Sequence, residues 1–189
     1  MELRLYPDPA LRDRSEPVEI FDEALAALAR EMTRVMRENN GLGLAGPQVG
    51  ALKRLVVIAP DAEPGCEIVL VNPEIVETAG WEEADEGCLS FPGIYVKVGR
   101  FARIVARYQD PSGRPQHFEA EGLLARAVQH ELDHLDGRLL VDRMSPVQRM
   151  AQRRRLRDLT TRYQRRIDQA VGVGGGTPEG TDAGSDAAD

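Results

Sequence analysis

Apolar residues recur at helical spacing in the first forty residues of the chain. They stand three or four positions apart, at Leu25, Leu28, Met32, Val35 and Met36. This spacing predicts an amphipathic helix over residues 21–40, capped by Asp22 at its start and ended by Asn39-Asn40-Gly41. A glycine-rich loop over residues 41–50 follows the helix.

The middle of the chain has the shorter apolar runs that are typical of strands. Residues 55–59, 67–71 and 74–78 are short runs of this kind. Residues 103–109 and 116–121 alternate around the turn Asp110-Pro111-Ser112-Gly113-Arg114, which predicts a β-hairpin.

Helical spacing returns after the hairpin. A second helix is predicted over residues 122–136, with Gly137 as its stop, and a third begins at the capping box Ser145-Pro146-Val147-Gln148. Helices near both ends with strands between them predict an α+β fold, with small antiparallel or mixed sheets around a central helix. We expect one catalytic domain over residues 1–170, including a basic helix over 145–170, and a disordered acidic tail over 171–189.

Composition agrees with a single globular domain. The chain has 189 residues, 42% of them hydrophobic and 29% charged, which is ordinary for a soluble protein. No run approaches the roughly 20 apolar residues that span a bilayer, and the N-terminus lacks a signal-like apolar segment. We therefore expect a cytoplasmic protein without a membrane partner, whose two cysteines are free thiols or metal ligands.

The net charge of −7 is unevenly distributed. Residues 138–170 hold ten arginines and three aspartates, a charge of about +7, so the remainder carries about −14. Such a segment either binds an anionic partner or forms a solvated helix face, and both interpretations stay open at this point.

The strongest chemical signal is the run from Gln129 to His134. Two histidines four positions apart on a helix lie about 40° from each other around its axis, so His130 and His134 can reach one metal ion. Glu131 lies about 100° from His130, beside the metal, where it can take a proton from water. A chance pairing is the alternative, but the chain has only three histidines, and His117 in the hairpin is assigned no role.

A third ligand is needed. Zinc proteases with this helix usually take it from a downstream His or Glu, and here the first such residue is Glu179. Upstream, Cys88 offers a thiolate that completes a three-ligand site with an open position, unless it is simply a small buried residue. Thiolate donation suits Fe(II), Ni(II), Co(II) or Zn(II) and does not choose among them. Cys66 has no ligand-like neighbours.

The glycine-rich loop matches the dinucleotide fingerprint G-x-G-x-x-G over residues 41–46, but it follows a helix and leads into a strand. We therefore reject nucleotide binding. The glycines allow a ligand to approach the backbone closely, and Gln48 offers an amide donor for an oxyanion. A plain helix-to-strand turn is the alternative.

Three motifs in order resemble those of the peptide deformylase family: Gly41-Leu42-Gly43-Leu44-Ala45-Gly46-Pro47-Gln48, Glu86-Gly87-Cys88-Leu89-Ser90 and Gln129-His130-Glu131-Leu132-Asp133-His134-Leu135. The opening Tyr6-Pro7-Asp8-Pro9-Ala10-Leu11-Arg12 is also similar, and the resemblance covers residues 1–145. Two positions depart from the family pattern. Gly46 stands where an alanine is usual, and Tyr95 stands near an arginine that contacts the peptide in some members.

The resemblance implies hydrolysis of the N-terminal formyl group of formylmethionyl nascent proteins. It implies that Cys88, His130 and His134 bind one divalent metal, foremost Fe(II), and that Glu131 moves the proton. Gln48 and the Leu89 N–H would hold the oxyanion. The residues implied to bind substrate are Leu42, Gly43, Glu86, Gly87 and Val128.

Two supporting roles and two alternatives complete the expectations. Glu86 and Asp133 are candidates to orient the ligands, although Asp133 suits a structural salt bridge equally well. The basic helix would face the ribosome through phosphate contacts without sequence-specific nucleic acid binding. The alternatives are a metalloprotease with the HExxH motif and a non-catalytic, metal-stabilised ribosome-binding protein.

Overall fold

The computed structural model describes residues 1–60 and 65–172. Its helices are α1 (Glu23–Glu38), α2 (Gly122–Leu135) and α3 (Pro146–Gly172). Its strands are β1 (Gly43–Ala45), β2 (Leu55–Ile58), β3 (Ile68–Ala79), β4 (Glu82–Gly87), β5 (Tyr95–Arg100), β6 (Arg103–Gln109) and β7 (Pro115–Glu121). Short 3-10 helices span Pro9–Arg12, Gly46–Val49 and Leu140–Asp142. Apart from residues 171 and 172, which end α3, the predicted tail lies outside the described residues.

The strands form two antiparallel sheets, and the α+β prediction is confirmed. Five strands pair in the order β1-β2-β3-β6-β7, and β4 pairs with β5 in a separate two-stranded sheet. The predicted hairpin is β6 and β7, and α1, α2 and α3 lie where helices were expected. The sequence pattern missed β4, which reads Glu-Glu-Ala-Asp-Glu-Gly and has no alternating apolar face, and it also missed its short partner β5, although Val96 and Val98 alternate there.

The five-stranded sheet is covered on both faces. Along β2, Leu55 and Val57 belong to the core cluster that includes α1, whereas Val56 and Ile58 pack in the cluster that includes α2. This alternation follows from the two-residue period of a strand. The central helix is thereby fixed against the sheet by apolar contacts on one side, and its other side is free to carry polar groups.

Strand β3 joins two runs that the sequence suggested as separate strands. Its register against β6 shifts between Val71 and Glu74, where Asn72 has a positive φ of 52°. The Asn72 side chain accepts a hydrogen bond from the Val18 N–H at 2.8 Å and donates to the Val18 carbonyl at 2.9 Å. A bulge of this kind bends the strand without ending it.

The helix ends follow the predicted capping chemistry. Asp22 accepts a hydrogen bond from the Leu25 N–H at 3.0 Å. At the start of α3, Ser145 and Gln148 bond reciprocally through their side chains and backbone N–H groups. Gly137 follows α2 in the chain and has a φ of 70°. It lies against the Arg12 carbonyl, which leaves no room for a side chain.

Helix α3 packs against the two-stranded sheet through a narrow apolar contact. Leu159 is buried in the cluster that also holds Phe91, Val96 and Val98, and Leu156 packs against it. Most of the arginines along the helix point into solvent. No helix of the described residues is long and apolar enough to cross a membrane.

Candidate metal centre

Three of the buried polar residues of helix α2 are the ones that the sequence singled out for metal chemistry. His130, Glu131 and His134 are 8%, 4% and 1% exposed. The two imidazole rings meet edge to face with centroids 5.0 Å apart, as the four-residue spacing predicts.

Cys88 reaches this helix from the turn that follows β4. Its Sγ lies 3.2 Å from His134 Nε2, and one ligand atom from each of Cys88, His130 and His134 lies within 4.8 Å of the others. One thiolate and two imidazoles suit a divalent transition metal. The three residues therefore fit a metal site.

The charges of the cluster also fit a bound cation. Burial holds the pKa of His134 well below its ordinary value, which keeps that imidazole neutral, as a ligand must be. Burial also opposes protonation of His130, but its contacts with Cys88 and Glu86 outweigh burial and raise the His130 pKa well above its ordinary value. These two neighbours thus attract positive charge to this point, and a metal ion can take the place of that proton.

Glu86 lies behind His130 at the end of β4. Its Oε2 accepts a hydrogen bond from His130 Nδ1 at 3.1 Å, an arrangement that leaves the other ring nitrogen for a ligand bond. Arg100 donates to both Glu86 oxygens, at 2.9 and 3.0 Å, and Arg126 donates to Oε1 at 2.9 Å. Burial opposes ionisation of Glu86, but these partners lower its pKa to about 2.

Asp133 extends the network on the next turn of α2. Its Oδ2 accepts hydrogen bonds from Arg100 at 2.6 Å and from Arg143 Nε at 2.9 Å, and Arg143 Nη2 bonds to the other oxygen. Arg100 thus joins Asp133 to Glu86, and through Glu86 it is connected to His130. The ion pair of Asp133 with Arg100 is buried, whereas its second partner, Arg143, is partly exposed to solvent.

Glu131 differs from these paired carboxylates. Its Oε2 is buried and, among the residues that the structure describes, has no hydrogen-bond partner. Burial raises the pKa of Glu131 to about 7. A carboxyl group with that pKa can take up and release a proton near neutral pH, which is the property of a general base.

The Gln48 side chain is held in one orientation next to Cys88. Its Oε1 accepts a hydrogen bond from the Ala45 N–H at 2.8 Å, so its amide nitrogen points the other way. That nitrogen lies 3.2 Å from Ser90 Oγ and 3.6 Å from Cys88 Sγ. The backbone N–H of Leu89 donates to no other described residue. Two donors therefore stand beside the thiolate.

A cavity of about 520 Å³ opens over the cluster. Among the predicted substrate-binding residues, its walls include Leu42, Gly43, Glu86 and Gly87. Val128 is fully buried in the core against the sheet, and α2 lines the cavity through Leu123 and Ala127 instead. The Glu86 carboxylate points into the arginine network, so Glu86 belongs to the support of the site more than to its open face.

Sequence reasoning missed the buried arginines. Arg100 and Arg126 are 4% and 6% exposed, although arginine is rarely buried unless it is paired. One signal was available for Arg126, which stands four residues before His130 and so on the same helix face. Arg100 gave no comparable signal, because its partners lie 14 and 33 residues away in the chain.

Comparison with known proteins agrees with this geometry. The family profile described as polypeptide deformylase matches residues 1–150. A peptide deformylase of Dictyoglomus thermophilum is 50% identical over 142 residues, covering 75% of this chain and 91% of that protein. One of Alkalilimnicola ehrlichii is 44% identical over 179 residues, covering 94% of this chain and 97% of that protein.

Solved structures show the same relationship. The crystal structure of a peptide deformylase from Legionella pneumophila is 44% identical, with a TM-score of 0.81, covering 87% of this chain and 97% of that one. Arabidopsis thaliana peptide deformylase 1B in complex with an inhibitor is 42% identical, with a TM-score of 0.84, covering 88% and 93%. Neither alternative, the metalloprotease or the non-catalytic protein, finds support in these matches. The chain belongs to the peptide deformylase family of metal-dependent hydrolases.

Proposed function

We propose that this chain removes the formyl group from N-formylmethionyl peptides at the cluster on α2, with Cys88, His130 and His134 as the metal ligands. The observation that carries the assignment is the Glu131 carboxylate, which lies buried beside that cluster on the wall of the cavity and whose Oε2 has no hydrogen-bond partner in the described part of the chain. When bound there, the metal supplies a Lewis acid that polarises the formyl group and makes water acidic.

Glu131 moves the proton in this proposal. Its carboxylate accepts a proton from the attacking water, and its carboxylic acid then gives that proton to the amine as the carbon–nitrogen bond breaks. The hydroxyl group of the water replaces the amine on the formyl carbon. Formic acid leaves and ionises to formate, and the amine carries the proton that Glu131 returned. Burial supports this role, because a carboxyl with a pKa of about 7 exists in both forms near neutral pH.

Gln48 and Leu89 stabilise the oxyanion of the tetrahedral intermediate. The Ala45 N–H fixes the Gln48 amide so that its nitrogen faces the Cys88 side of the cavity, and the Leu89 N–H follows directly in the chain. Donors that are held before the reaction cost no reorganisation when the charge develops.

The peptide lies along the glycine-lined wall of the cavity. A Cβ on Gly43 would stand 2.5 Å from Glu131 Oε1, so the backbone at this point approaches the general base more closely than another residue allows. Gly43 and Gly87 both line the cavity in which the extended peptide backbone lies, and the exposed Leu42 side chain contacts the methionine.

In this proposal all catalytic residues belong to one domain that binds one metal ion. Residues 1–170 are the catalytic domain, with α3 appended to the two-stranded sheet. The metal in this proposal is Fe(II), as the resemblance to the family implies; the ligand set itself accepts Ni(II), Co(II) or Zn(II) as well. Elemental analysis after purification without oxygen tests this assignment, and stoichiometric zinc with no iron would contradict it.

We also infer that the enzyme works in the cytoplasm at the ribosome. The exposed arginines of α3, together with its narrow apolar contact, suit phosphate contacts with ribosomal RNA without base recognition. Ribosome pelleting at low and high salt tests this. Co-sedimentation should decrease steeply as salt rises, and an absence of binding, or salt-insensitive binding, would contradict it.

Formate release is the decisive test of the activity. Protein loaded with Fe(II) or Ni(II) under nitrogen should release formate from a formyl-methionyl peptide and release nothing from its acetylated counterpart. Glu131→Gln should lose about 10²–10⁴-fold in kcat while retaining its metal. Formate release at the normal rate by Glu131→Gln would remove Glu131 from the mechanism.

A further inference from the structure

Arg126 is a buried cation on α2 that the proposed reaction does not use. It stands one helical turn before His130, and its side chain is 8% exposed. Its Nη1 donates to Glu86 Oε1 at 2.9 Å and to the Val98 carbonyl at 2.7 Å, and its Nη2 donates to the Glu82 carbonyl at 2.9 Å. One guanidinium is therefore bonded to both strands of the two-stranded sheet and to the carboxylate behind a metal ligand.

The oxygens of Glu86 are divided among three partners. Arg100 bonds to both oxygens, Arg126 to Oε1 only, and His130 Nδ1 to Oε2. A carboxylate offers about two acceptor positions on each oxygen. Because Arg126 takes the remaining position on Oε1, Oε2 is the oxygen left for the imidazole.

The torsion that turns a glutamate carboxylate is soft, so its orientation depends on its partners. Arg100 alone fixes one edge of the Glu86 carboxylate. The third bond, from Arg126, comes from the same helix that carries His130, so the carboxylate and the imidazole are fixed to one rigid element. The distance between Glu86 and His130 is thereby fixed by a contact from the helix, through Arg126, as well as by contacts from a strand, through Arg100.

We propose that Arg126 is a positioning residue for the metal site. By occupying Oε1 it holds the Glu86 carboxylate so that Oε2 meets His130 Nδ1, and this contact fixes the direction of the imidazole ring. The inference rests on the proposed role of His130 as a metal ligand. It assigns part of the metal affinity of the site to an arginine that does not contact the metal.

A purely structural role is the competing explanation, because Arg126 also ties α2 to β4 and β5. The two roles differ in what they do to the metal site. Loss of a structural tie lowers the free energy of unfolding and leaves the ligand geometry of the folded protein unchanged. Loss of a positioning contact changes the affinity and the ligand field of the bound metal in protein that is still folded.

Titration of the metal-free protein with cobalt(II) chloride, monitored by visible absorption, distinguishes the positioning role from the purely structural role. Arg126→Met keeps the length of the side chain but removes its donors, and Arg126→Lys keeps the charge without the fork. We expect Arg126→Met to weaken Co(II) binding by about 10–100-fold and to alter the absorption bands. The Co(II) affinity of Arg126→Lys should lie between that of Arg126→Met and that of the unsubstituted protein.

Two further variants serve as controls. Arg54 also bonds across elements, to Asp136 at 3.0 Å and to the Pro73 carbonyl at 3.5 Å, without contacting a ligand. Arg54→Met should therefore lower stability and leave the Co(II) affinity unchanged. Combining Arg126→Met with Glu86→Gln should weaken Co(II) binding no more than Glu86→Gln alone, because Arg126 acts through that carboxylate.

The outcomes are distinguishable. Unchanged Co(II) affinity and absorption in Arg126→Met, or losses that multiply in the double variant, would overturn the positioning role. If Arg126→Met does not fold, the same measurements on Arg126→Lys decide. If the unsubstituted protein fails to bind one Co(II) per chain, or if His130→Ala binds it equally well, the proposed function fails and not only the role of Arg126.

Discussion

Glu86 accepts a hydrogen bond from Nδ1 of His130 at 3.1 Å, and these two residues lie 44 positions apart in the chain. The contact joins the end of a strand to the middle of the central helix inside the protein. Two buried arginines bond to the same carboxylate. The imidazole is therefore supported by a network of buried charged side chains, in a place where apolar side chains would be usual. The stability of the fold and the geometry of the site therefore depend on the same contacts.

Glu86→Gln is expected to destabilise the protein by about 3–5 kcal/mol. The substitution keeps the size of the side chain but leaves Arg126 without its buried counter-charge and leaves Arg100 with Asp133 alone. Urea denaturation at pH 7 measures the loss. Glu83→Gln, at an exposed position of the same strand, should stay within about 0.5 kcal/mol of the unsubstituted protein. A loss under about 1 kcal/mol for Glu86→Gln would contradict the importance of the network.

Glu131→Gln should stabilise the metal-free protein at pH 8. Burial raises the Glu131 pKa from 4.5 to about 7, so between these values the folded state holds a proton that the unfolded state has released. The contribution of Glu131 to the free energy of unfolding therefore falls by roughly 3 kcal/mol in all as pH rises through that interval. Thermal unfolding of both proteins at pH 4.5 and pH 8 measures it. The difference in melting temperature between the two proteins should be small at pH 4.5. Equal melting temperatures at pH 8 would show that burial of the ionised Glu131 carboxylate does not destabilise the fold.

The acid limb of kcat/KM should follow the ionisation of Glu131. The base form is needed, so kcat/KM is expected to fall about tenfold for each pH unit below the Glu131 pKa and to level off above it. A bound cation favours the ionised form, so the limb is expected at or below about pH 7. Metal content is measured at each pH as the control, because protons compete for the histidines. A profile that stays flat down to the lowest pH at which the metal remains bound would rule out this assignment.

Gly43→Ala should lower kcat/KM by at least tenfold, because the new methyl group would stand 2.5 Å from Glu131 Oε1 and 2.8 Å from its Cγ, so the general base must move. Gly99→Ala is the matched control. The three atoms nearest to its methyl group all belong to the ring of Trp81, which is 64% exposed and has room to move. Equal activity in both variants would show that the close approach at Gly43 is not needed.

The parts of the site that share a helix were predictable from the sequence. His130, Glu131 and His134 stand at spacings that a helix turns into a single face, and three motifs in order identified the family. Their surroundings were not predictable in the same way. Arg100 pairs with residues 14 and 33 positions distant, and nothing local distinguishes a buried, paired arginine from one in solvent.

The two-stranded sheet was missed for a related reason. In β4 the buried position near the site is Glu86, so the strand that carries the central carboxylate reads as a polar loop. Periodicity detects strands that bury apolar side chains, and here a strand buries a charge because arginines from β5 and α2 come to meet it. The bulge at Asn72 misled the pattern in the other direction, by dividing one strand into two predicted runs.

Cys88 and His134 contact at 3.2 Å across 46 residues of chain. The thiolate is delivered by the turn after β4 and the imidazoles by α2, so the full ligand set exists only where the two-stranded sheet has docked on the helix. An unfolded or half-folded chain retains no more than the two histidines. Metal content in a purified sample thus counts the correctly assembled molecules, and a freshly synthesised copy of this enzyme can hold its metal through all three ligands only once the sheet lies against the helix.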